Sequence, residues 1–154
     1  MQEPLFYASQ ELKRAEHLLY VSLKYTRTAD VMRSFISRLI ACFDFIIEGL
    51  LNKKEESGEI FEVPSTPFGK VKELKKLYRD SKEMCLYMDF YLLLRKMARV
   101  EFIADKEFRR HLNMVMKIDG QDIMLTIDIL TDYYHKTFDY LRFIKKTHIL
   151  EEDN

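Results

Sequence analysis

The spacing of hydrophobic and polar residues changes from a helical period to strict alternation near the end of this chain. Between residues 111 and 128, apolar side chains occupy nearly every second position on both sides of Asp119-Gly120. Asp-Gly favours a two-residue type I′ turn, in which both central residues need positive φ. Folding the chain there places Ile118 opposite Gln121. The pattern predicts a β-hairpin over about residues 111–128.

The predicted hairpin has one apolar face, because successive side chains point to opposite sides of a strand. That face comprises Leu112, Met114, Met116, Ile118, Ile123, Leu125 and Ile127, with Gln121 as its polar member. The other face comprises His111, Asn113, Lys117, Asp122, Thr126 and Asp128, with Val115 and Met124 as apolar exceptions. The predicted ladder continues through Asn113 opposite Thr126 and Leu112 opposite Ile127 to His111 opposite Asp128.

Elsewhere apolar residues recur every three or four positions, which predicts helices. We expect helices over about residues 9–24 and 31–52, and a third helix that begins at Pro67 after a Thr66 cap. A fourth helix should run from an Asp80 cap to about residue 101, and the last from an Asp128 cap to about residue 147. The second carries two adjacent apolar rows and should be central. Residues 53–66 should form a loop with a short extended piece, and Phe68 and Phe138 should face inward.

Composition supports one mainly helical domain. The chain has 154 residues, of which 47% are hydrophobic, with only four glycines and three prolines. We therefore predict a single domain over residues 1–154, a mainly α helical bundle of about five helices with one β-hairpin before the last helix. No apolar run approaches the length of a membrane span, and no secretory signal is visible. Cys42 and Cys85 read as reduced core thiols, which favours a cytoplasmic protein.

Charge is balanced overall but unevenly distributed. Residues 70–110 hold 12 Lys and Arg against 7 Asp and Glu, whereas residues 119–154 hold 4 against 8. A basic middle and an acidic end could steer an anionic partner or dock one copy on another.

Charged groups are densest over residues 99–111, RVEFIADKEFRRH, where the fourth helix should meet the hairpin. The candidate anion- or nucleotide-binding residues are Arg99, Glu101, Glu107, Arg109, Arg110 and His111. Guanidinium groups there could grip a phosphate bidentately, with His111 available for proton transfer. The alternative is a solvated linker with ordinary ion pairs, in which His111 hydrogen-bonds Asp128.

Other chemistries lack a complete set of residues. Asp132 and His135 lie three apart on the last helix, without the facing Glu-x-x-His motifs of a di-iron bundle. Neither cysteine has a neighbouring histidine, and four isolated glycines cannot build a phosphate loop. The lysines of the third helix have no interleaved aromatic residues on which bases could stack. The sequence therefore predicts no metal, no cofactor and no catalytic residues.

Aromatic residues are abundant, with 11 Phe and 9 Tyr. Tyr87, Tyr91, Tyr133, Tyr134 and Tyr140 belong either to the core or to a pairing surface, where amphipathic aromatics are favoured. The apolar face of the hairpin needs a cover, either the chain's own helices or a second subunit. We expect self-association, most simply as a homodimer.

Two stretches resemble the HEPN family of small helical bundles. ELKRAEHLLYVSLKY is similar to its opening helix, and FISRLIACFDFIIEGLLNKKEE to its second. The resemblance implies a dimer. It also suggests metal-independent RNA cleavage as an activity to consider, because some members of the family cleave RNA with an Arg followed four to six residues later by a His. Arg142 and His148 match that spacing but fall at the end of the last helix, whereas Arg109, Arg110 and His111 have the chemistry without the spacing.

The leading hypothesis is a non-enzymatic, self-associating, HEPN-like binding protein with a nucleotide or RNA contact near residues 109–111. One alternative is a metal-independent ribonuclease that uses Arg109, Arg110 and His111, or Arg142 and His148. Another is an adaptor that recruits a protein partner through the hairpin or an aromatic surface.

Overall fold

The computed structural model describes residues 1–25, 29–100, 102–105 and 113–149, with the backbone alone described at 102–105, 113–114 and 148–149. The helices are α1 (Gln2–His17), α2 (Leu23–Tyr25), α3 (Ala29–Glu56), α4 (Pro67–Leu77), α5 (Lys82–Arg99) and α6 (Ile127–Ile144). The strands are β1 (Phe102–Asp105), β2 (Asn113–Ile118) and β3 (Gln121–Leu125). Two π-helical stretches, Leu18–Ser22 and Lys145–Ile149, follow α1 and α6. This architecture confirms the predicted mainly helical bundle with a hairpin before the last helix.

Helix α1 begins well before the predicted start at residue 9. Pro4 lies in its first turn, where a missing N–H costs no intrahelical hydrogen bond. Leu5 and Ala8 are buried in line with Leu12 and Ala15, so the apolar row extends to the start of the helix. Helix α1 therefore includes Pro4 and does not begin after it.

Helix α3 is the central helix, as its two apolar rows predict, and it buries 12 of its 28 residues. Gly49 lets α1 approach closely, because a Cβ there would lie 2.9 Å from the Cβ of Pro4. Buried Glu11 of α1 also reaches α3, since Arg38 Nη1 donates to its Oε2 over 3.0 Å. Helix α3 continues to Glu56, and residues 57–66 form the loop without the predicted extended piece.

Side-chain caps fix the starts of the later helices. Thr66 Oγ1 accepts a hydrogen bond from Gly69 N at 3.0 Å, which confirms the predicted cap of α4. The predicted caps Asp80 and Asp128 are wrong. Ser81 caps α5 through Met84 N at 3.2 Å, and Thr126 caps α6 through Ile129 N at 3.2 Å. Helix α5 also ends at Arg99, short of the predicted residue 101.

The hairpin has the predicted turn and register. Asp119 and Gly120 have φ of 52° and 81°, the positive values that a type I′ turn requires. Strands β2 and β3 pair from Met114 opposite Leu125 to Ile118 opposite Gln121.

The ladder is shorter than predicted. It ends at Leu125, because Thr126 caps α6 and Ile127 and Asp128 are helical, so the predicted pairings of residues 126–128 are wrong. Their predicted partners Leu112 and His111 lie outside the described residues. Asn113 pairs instead with Asp105 of β1, an additional strand that lies antiparallel to β2.

The chain's own helices cover the apolar face of the hairpin where side chains are described. Met116, Ile118 and Leu125 are buried and belong to the same hydrophobic core as the helices. The turn is tied to α5 by an ion pair between Lys96 Nζ and Asp119 Oδ2 at 2.9 Å. This part of the hairpin therefore needs no second subunit.

Among the described residues, no helix combines the length and apolar character needed to cross a membrane.

Candidate functional site

Of the six predicted site residues, Arg99 is the one whose side chain the structure describes. Glu101, Glu107, Arg109, Arg110 and His111 lie outside the described residues, so their convergence stays a prediction. Arg99 is exposed in the last turn of α5. It lines a cavity of about 360 Å³ together with Phe68 and Arg95.

A second cavity of about 400 Å³ adjoins the first and shares Pro67 and Arg95 with it. Asp44, Phe45 and Glu48 of α3 line one side of this cavity. Lys70 of α4 and Tyr91 and Arg95 of α5 line the other. We call the two adjoining cavities the α3–α5 groove.

A hydrogen-bonded trio at the centre of the α3–α5 groove fixes Arg95. Its Nη2 donates to both carboxylate oxygens of Asp44, at 3.1 and 2.9 Å, and its Nε donates to Tyr91 Oη at 2.8 Å. Tyr91 Oη in turn donates to Asp44 Oδ1 at 2.5 Å. Charge-assisted bonds of this kind hold a side chain firmly, so Arg95 is preorganised at the junction of the two cavities.

The protonation states in the trio follow from these bonds. Burial, followed by the hydrogen bond to Asp44, raises the pKa of Tyr91 well above its usual value. For Arg95, burial acts to lower the pKa, but the hydrogen bonds to Tyr91 and Asp44 raise it overall. The trio therefore holds Tyr91 as a neutral phenol between Asp44 and the Arg95 guanidinium.

Lysines around the α3–α5 groove are also paired to carboxylates. Lys70 Nζ lies 2.7 Å from Glu48 Oε2, and Lys75 is paired with Asp89. Together with Arg95–Asp44 and Lys96–Asp119, these pairs neutralise most of the cations here. Among the cations that line the groove, Arg99 alone has no carboxylate partner in the part of the chain that the structure describes. The groove is thus rich in charge but nearly neutral.

An aromatic ridge, Phe6, Tyr7 and Phe45, borders the α3–α5 groove. The rings of Phe6 and Tyr7 are 5.6 Å apart, and those of Tyr7 and Phe45 are 5.4 Å apart. The three residues are 58%, 40% and 37% exposed, respectively. The ridge is not evident from the sequence, because Phe45 lies beside the apolar rows of α3 and α1 was expected to start after Phe6 and Tyr7.

Phe68 lies in the other cavity of the groove and is 67% exposed, so its predicted inward position is wrong. It occupies the first turn of α4, whose buried residues are Val71 and Leu74. Phe138 is also exposed, at 40%, contrary to prediction. Both prediction errors arise at the edge of an apolar stripe, where spacing alone cannot separate core from surface.

Most of the tyrosines considered for a pairing surface belong to the core. Tyr91, Tyr134 and Tyr140 are buried. Phe43 of α3 stacks on Tyr140 with ring centroids 4.8 Å apart, and it also contacts Tyr91 at 5.6 Å. This cluster supports the floor of the α3–α5 groove from within.

Residues considered for catalysis or metal binding do not form a site where they are described. Arg142 is exposed, with its guanidinium 5.9 Å from the Phe138 ring centroid, and the side chain of His148 lies outside the description. Within the described residues, no three His, Cys, Asp or Glu side chains could share a metal ion. Burial, followed by the charge of Glu11, raises the pKa of Cys42 to about 12, so its thiol is a poor nucleophile.

Comparisons with protein-family models, with curated proteins and with solved structures found no match.

Proposed function

We propose that this chain is a non-enzymatic binding protein that self-associates through the aromatic ridge and the α3–α5 groove. The observation that carries the proposal is the ridge itself, three contiguous aromatic residues left exposed beside a groove. Aromatic residues and arginine are enriched at the centres of protein interfaces, where they contribute much of the binding energy. A cytoplasmic location, in which Cys42 and Cys85 stay reduced, is part of the proposal.

The paired charges of the groove favour a second copy of the chain as the partner. Burying an unpaired charge is costly, whereas Arg95 and Lys70 already have Asp44 and Glu48 as counter-ions. The chain has no formal net charge, so two copies do not repel one another as a whole. A dimer is also what the resemblance to the HEPN family implies.

Light scattering during gel filtration over a dilution series tests self-association. We expect the unaltered chain to be dimeric at micromolar concentration. The double variant Tyr7→Ala, Phe45→Ala should dissociate at a concentration at least about tenfold higher, because truncating two interface aromatics removes more than about 1.4 kcal/mol. The matched control is Phe61→Ala, because Phe61 is 97% exposed in the loop after α3 and lines neither cavity of the groove. A monomer at tens of micromolar would refute the proposal.

A nucleotide or RNA contact near Arg99 is a second candidate, favoured by one observation. Arg99 lacks a carboxylate partner among the described side chains and shares a cavity with exposed Phe68. A guanidinium beside an exposed ring suits a phosphate and a stacked base. Arg109, Arg110 and His111 would extend this contact.

Fluorescence anisotropy with a labelled single-stranded RNA tests this contact. Arg99→Ala and Phe68→Ala should each weaken binding, whereas Lys76→Ala on the outer side of α4 should not. The same protein, incubated with mixed RNA and EDTA, tests the rival ribonuclease hypothesis. Cleavage that disappears in Arg110→Ala, His111→Ala or Arg142→Ala would favour an enzyme over a binding protein.

A further inference from the structure

A separate groove lies on the other side of α5, between α5 and α6. Two adjoining cavities of about 350 and 610 Å³ share Glu83 and Tyr87, and we call them together the α5–α6 groove. The helices are antiparallel there, because Tyr87 contacts Phe143 and Phe90 contacts Tyr133. The groove spans Lys136 of α6 to Lys146 of its π-helical extension, about 15 Å at about 1.5 Å per residue.

The floor of the α5–α6 groove is apolar and firmly supported. Leu86, Tyr87 and Phe90 of α5 form one part and Phe143 of α6 the other. Leu86 is 59% exposed. Tyr87 packs on buried Tyr140 with ring centroids 4.8 Å apart, so the floor rests directly on the aromatic core. A rigid, preformed floor lowers the entropic cost of binding.

Four cations from α6 and its π-helical extension line this groove: Lys136, Arg142, Lys145 and Lys146. Lys136 lies over the rings of Phe90 and Tyr133, and Lys145 Nζ donates to Ser9 Oγ at 3.2 Å. None of the four is ion-paired to a carboxylate of the described residues. Glu83 and Asp139 also line the groove, which leaves two more cations than carboxylates.

We propose that the α5–α6 groove binds an amphipathic helix of a partner protein, with aliphatic side chains on the floor and carboxylates facing the α6 cations. Helices commonly bind this way, with apolar residues at i, i+3, i+4 and i+7 in an apolar groove. The 15 Å span matches about three helical turns. These cations, which have no ion pair with a described carboxylate, supply the charge complementarity that selects an acidic partner.

The floor favours a helix over a nucleic acid. The rings of Tyr87 and Phe143 already contact one another, and the most exposed floor residue is aliphatic Leu86. An aliphatic side chain packs better on such a floor than a base does, because bases stack on free aromatic faces.

Labelled synthetic helices test the charge preference. The first probe carries Leu at i, i+3, i+4 and i+7 with Glu on both flanks, and the second carries Lys in place of each Glu. By fluorescence anisotropy, the acidic helix should bind at least about tenfold more tightly than the basic one, and added salt should weaken it. Equal binding of the two helices would overturn the proposal. So would displacement of the acidic helix by single-stranded RNA at a lower concentration than by unlabelled acidic helix.

Surface variants locate the binding. Leu86→Asp, and the double change Arg142→Glu with Lys146→Glu, should each lower affinity for the acidic helix at least about tenfold. The matched control, Lys72→Glu with Lys76→Glu, changes the charge equally on exposed α4 positions that line neither groove. Thermal melting checks that each variant is folded. An equal loss of affinity in the control would contradict the proposal. The double variant Tyr7→Ala, Phe45→Ala distinguishes helix binding from self-association, because that variant should still bind the acidic helix normally.

Discussion

Helix α5 separates two grooves that differ in how their cations are paired with carboxylates of the described residues. In the α3–α5 groove, Arg95 and Lys70 are paired with carboxylates of α3. In the α5–α6 groove, the cations contact rings, a hydroxyl or no described partner, and none contacts a carboxylate of the described residues. Charges that are paired within the chain can be covered by a neutral surface, whereas unpaired charges favour a partner of opposite charge. The two grooves therefore suit different partners.

The difference originates in the helix that faces α5. On α3, Asp44 and Glu48 lie one turn apart, so both carboxylates face the same side and meet Arg95 and Lys70. On α6 and its π-helical extension, Asp139 is the acidic residue at the groove, among three lysines and one arginine. The acidic residues that α3 and α6 place at each groove therefore determine how many of its cations have a carboxylate partner.

The largest effect should come from Phe43→Ala, which removes the support that both grooves share. The Phe43 ring contacts Tyr91 beneath the α3–α5 groove and Phe90 and Tyr140 beneath the other. Truncating a fully buried phenylalanine should lower the free energy of unfolding by about 3–5 kcal/mol. Urea unfolding measures this loss. A loss below about 1 kcal/mol would show that the grooves do not depend on a common core.

Arg95→Met should destabilise the fold, whereas the matched change Arg142→Met should not. Arg95 makes three hydrogen bonds to Asp44 and Tyr91, so its loss should cost about 1–2 kcal/mol after allowance for solvent screening. The Arg142 guanidinium lies over the exposed Phe138 ring and has no side-chain hydrogen bond or ion pair with the described residues, so its replacement should change stability by less than about 0.5 kcal/mol. Equal losses in the free energy of unfolding, measured with urea, would contradict the difference in cation pairing between the two grooves.

Gly49→Ala should disturb the ridge side of the molecule by about 1 kcal/mol. The new methyl group would press on Pro4, which immediately precedes the α1 turn carrying Phe6 and Tyr7. Overpacking costs about 1–3 kcal/mol, and about 1 kcal/mol is regained from helix propensity. Self-association should weaken while binding of the acidic helix stays unchanged. A variant that is more stable than the parent would show that α1 is not tightly packed at Gly49.

The smallest effect concerns alkaline pH. Because burial raises the pKa of Tyr91 in the folded state, the unfolded chain loses that proton first, near the ordinary value of 10.0. The stabilisation is complete below this pH and declines as the pH rises above it. Urea unfolding from about pH 8 to about pH 11 should show a shallower decline in Tyr91→Phe than in the parent or in Tyr25→Phe, an exposed control. An unchanged slope would mean that burial and the Asp44 hydrogen bond do not raise the pKa of Tyr91.

Local signals in the sequence were enough to predict the hairpin and the helix order. The Asp119-Gly120 turn and the alternation around it depend on neighbouring residues alone. Caps were misplaced by one or two positions because Asp80 and Ser81, like Thr126 and Asp128, are all competent N-caps. Strand β1 was missed because four residues, FIAD, carry little periodic signal and their partner β2 lies farther along the chain.

The candidate sites were less predictable than the fold. The Asp44–Arg95 pair joins residues 51 positions apart, and it depends on how α3 and α5 are rotated against each other. The same holds for the cations of α6 and its π-helical extension, which have no ion pair with a described carboxylate, since spacing shows which helix face they share but not what faces them. Arg99 was predicted because it begins a dense charge cluster near the expected end of the fourth helix, and the other predicted site residues lie outside the described residues.

Backbone amide chemical shifts of the whole chain, followed in two titrations, test most directly whether the two grooves take different partners. Raising the protein concentration should move signals around the ridge and residues 41–48. Adding the acidic helix should move signals in residues 83–90 and 136–146. If both titrations move the same set of signals, or if the acidic helix moves those around Arg95 first, the division of the molecule at α5 is wrong.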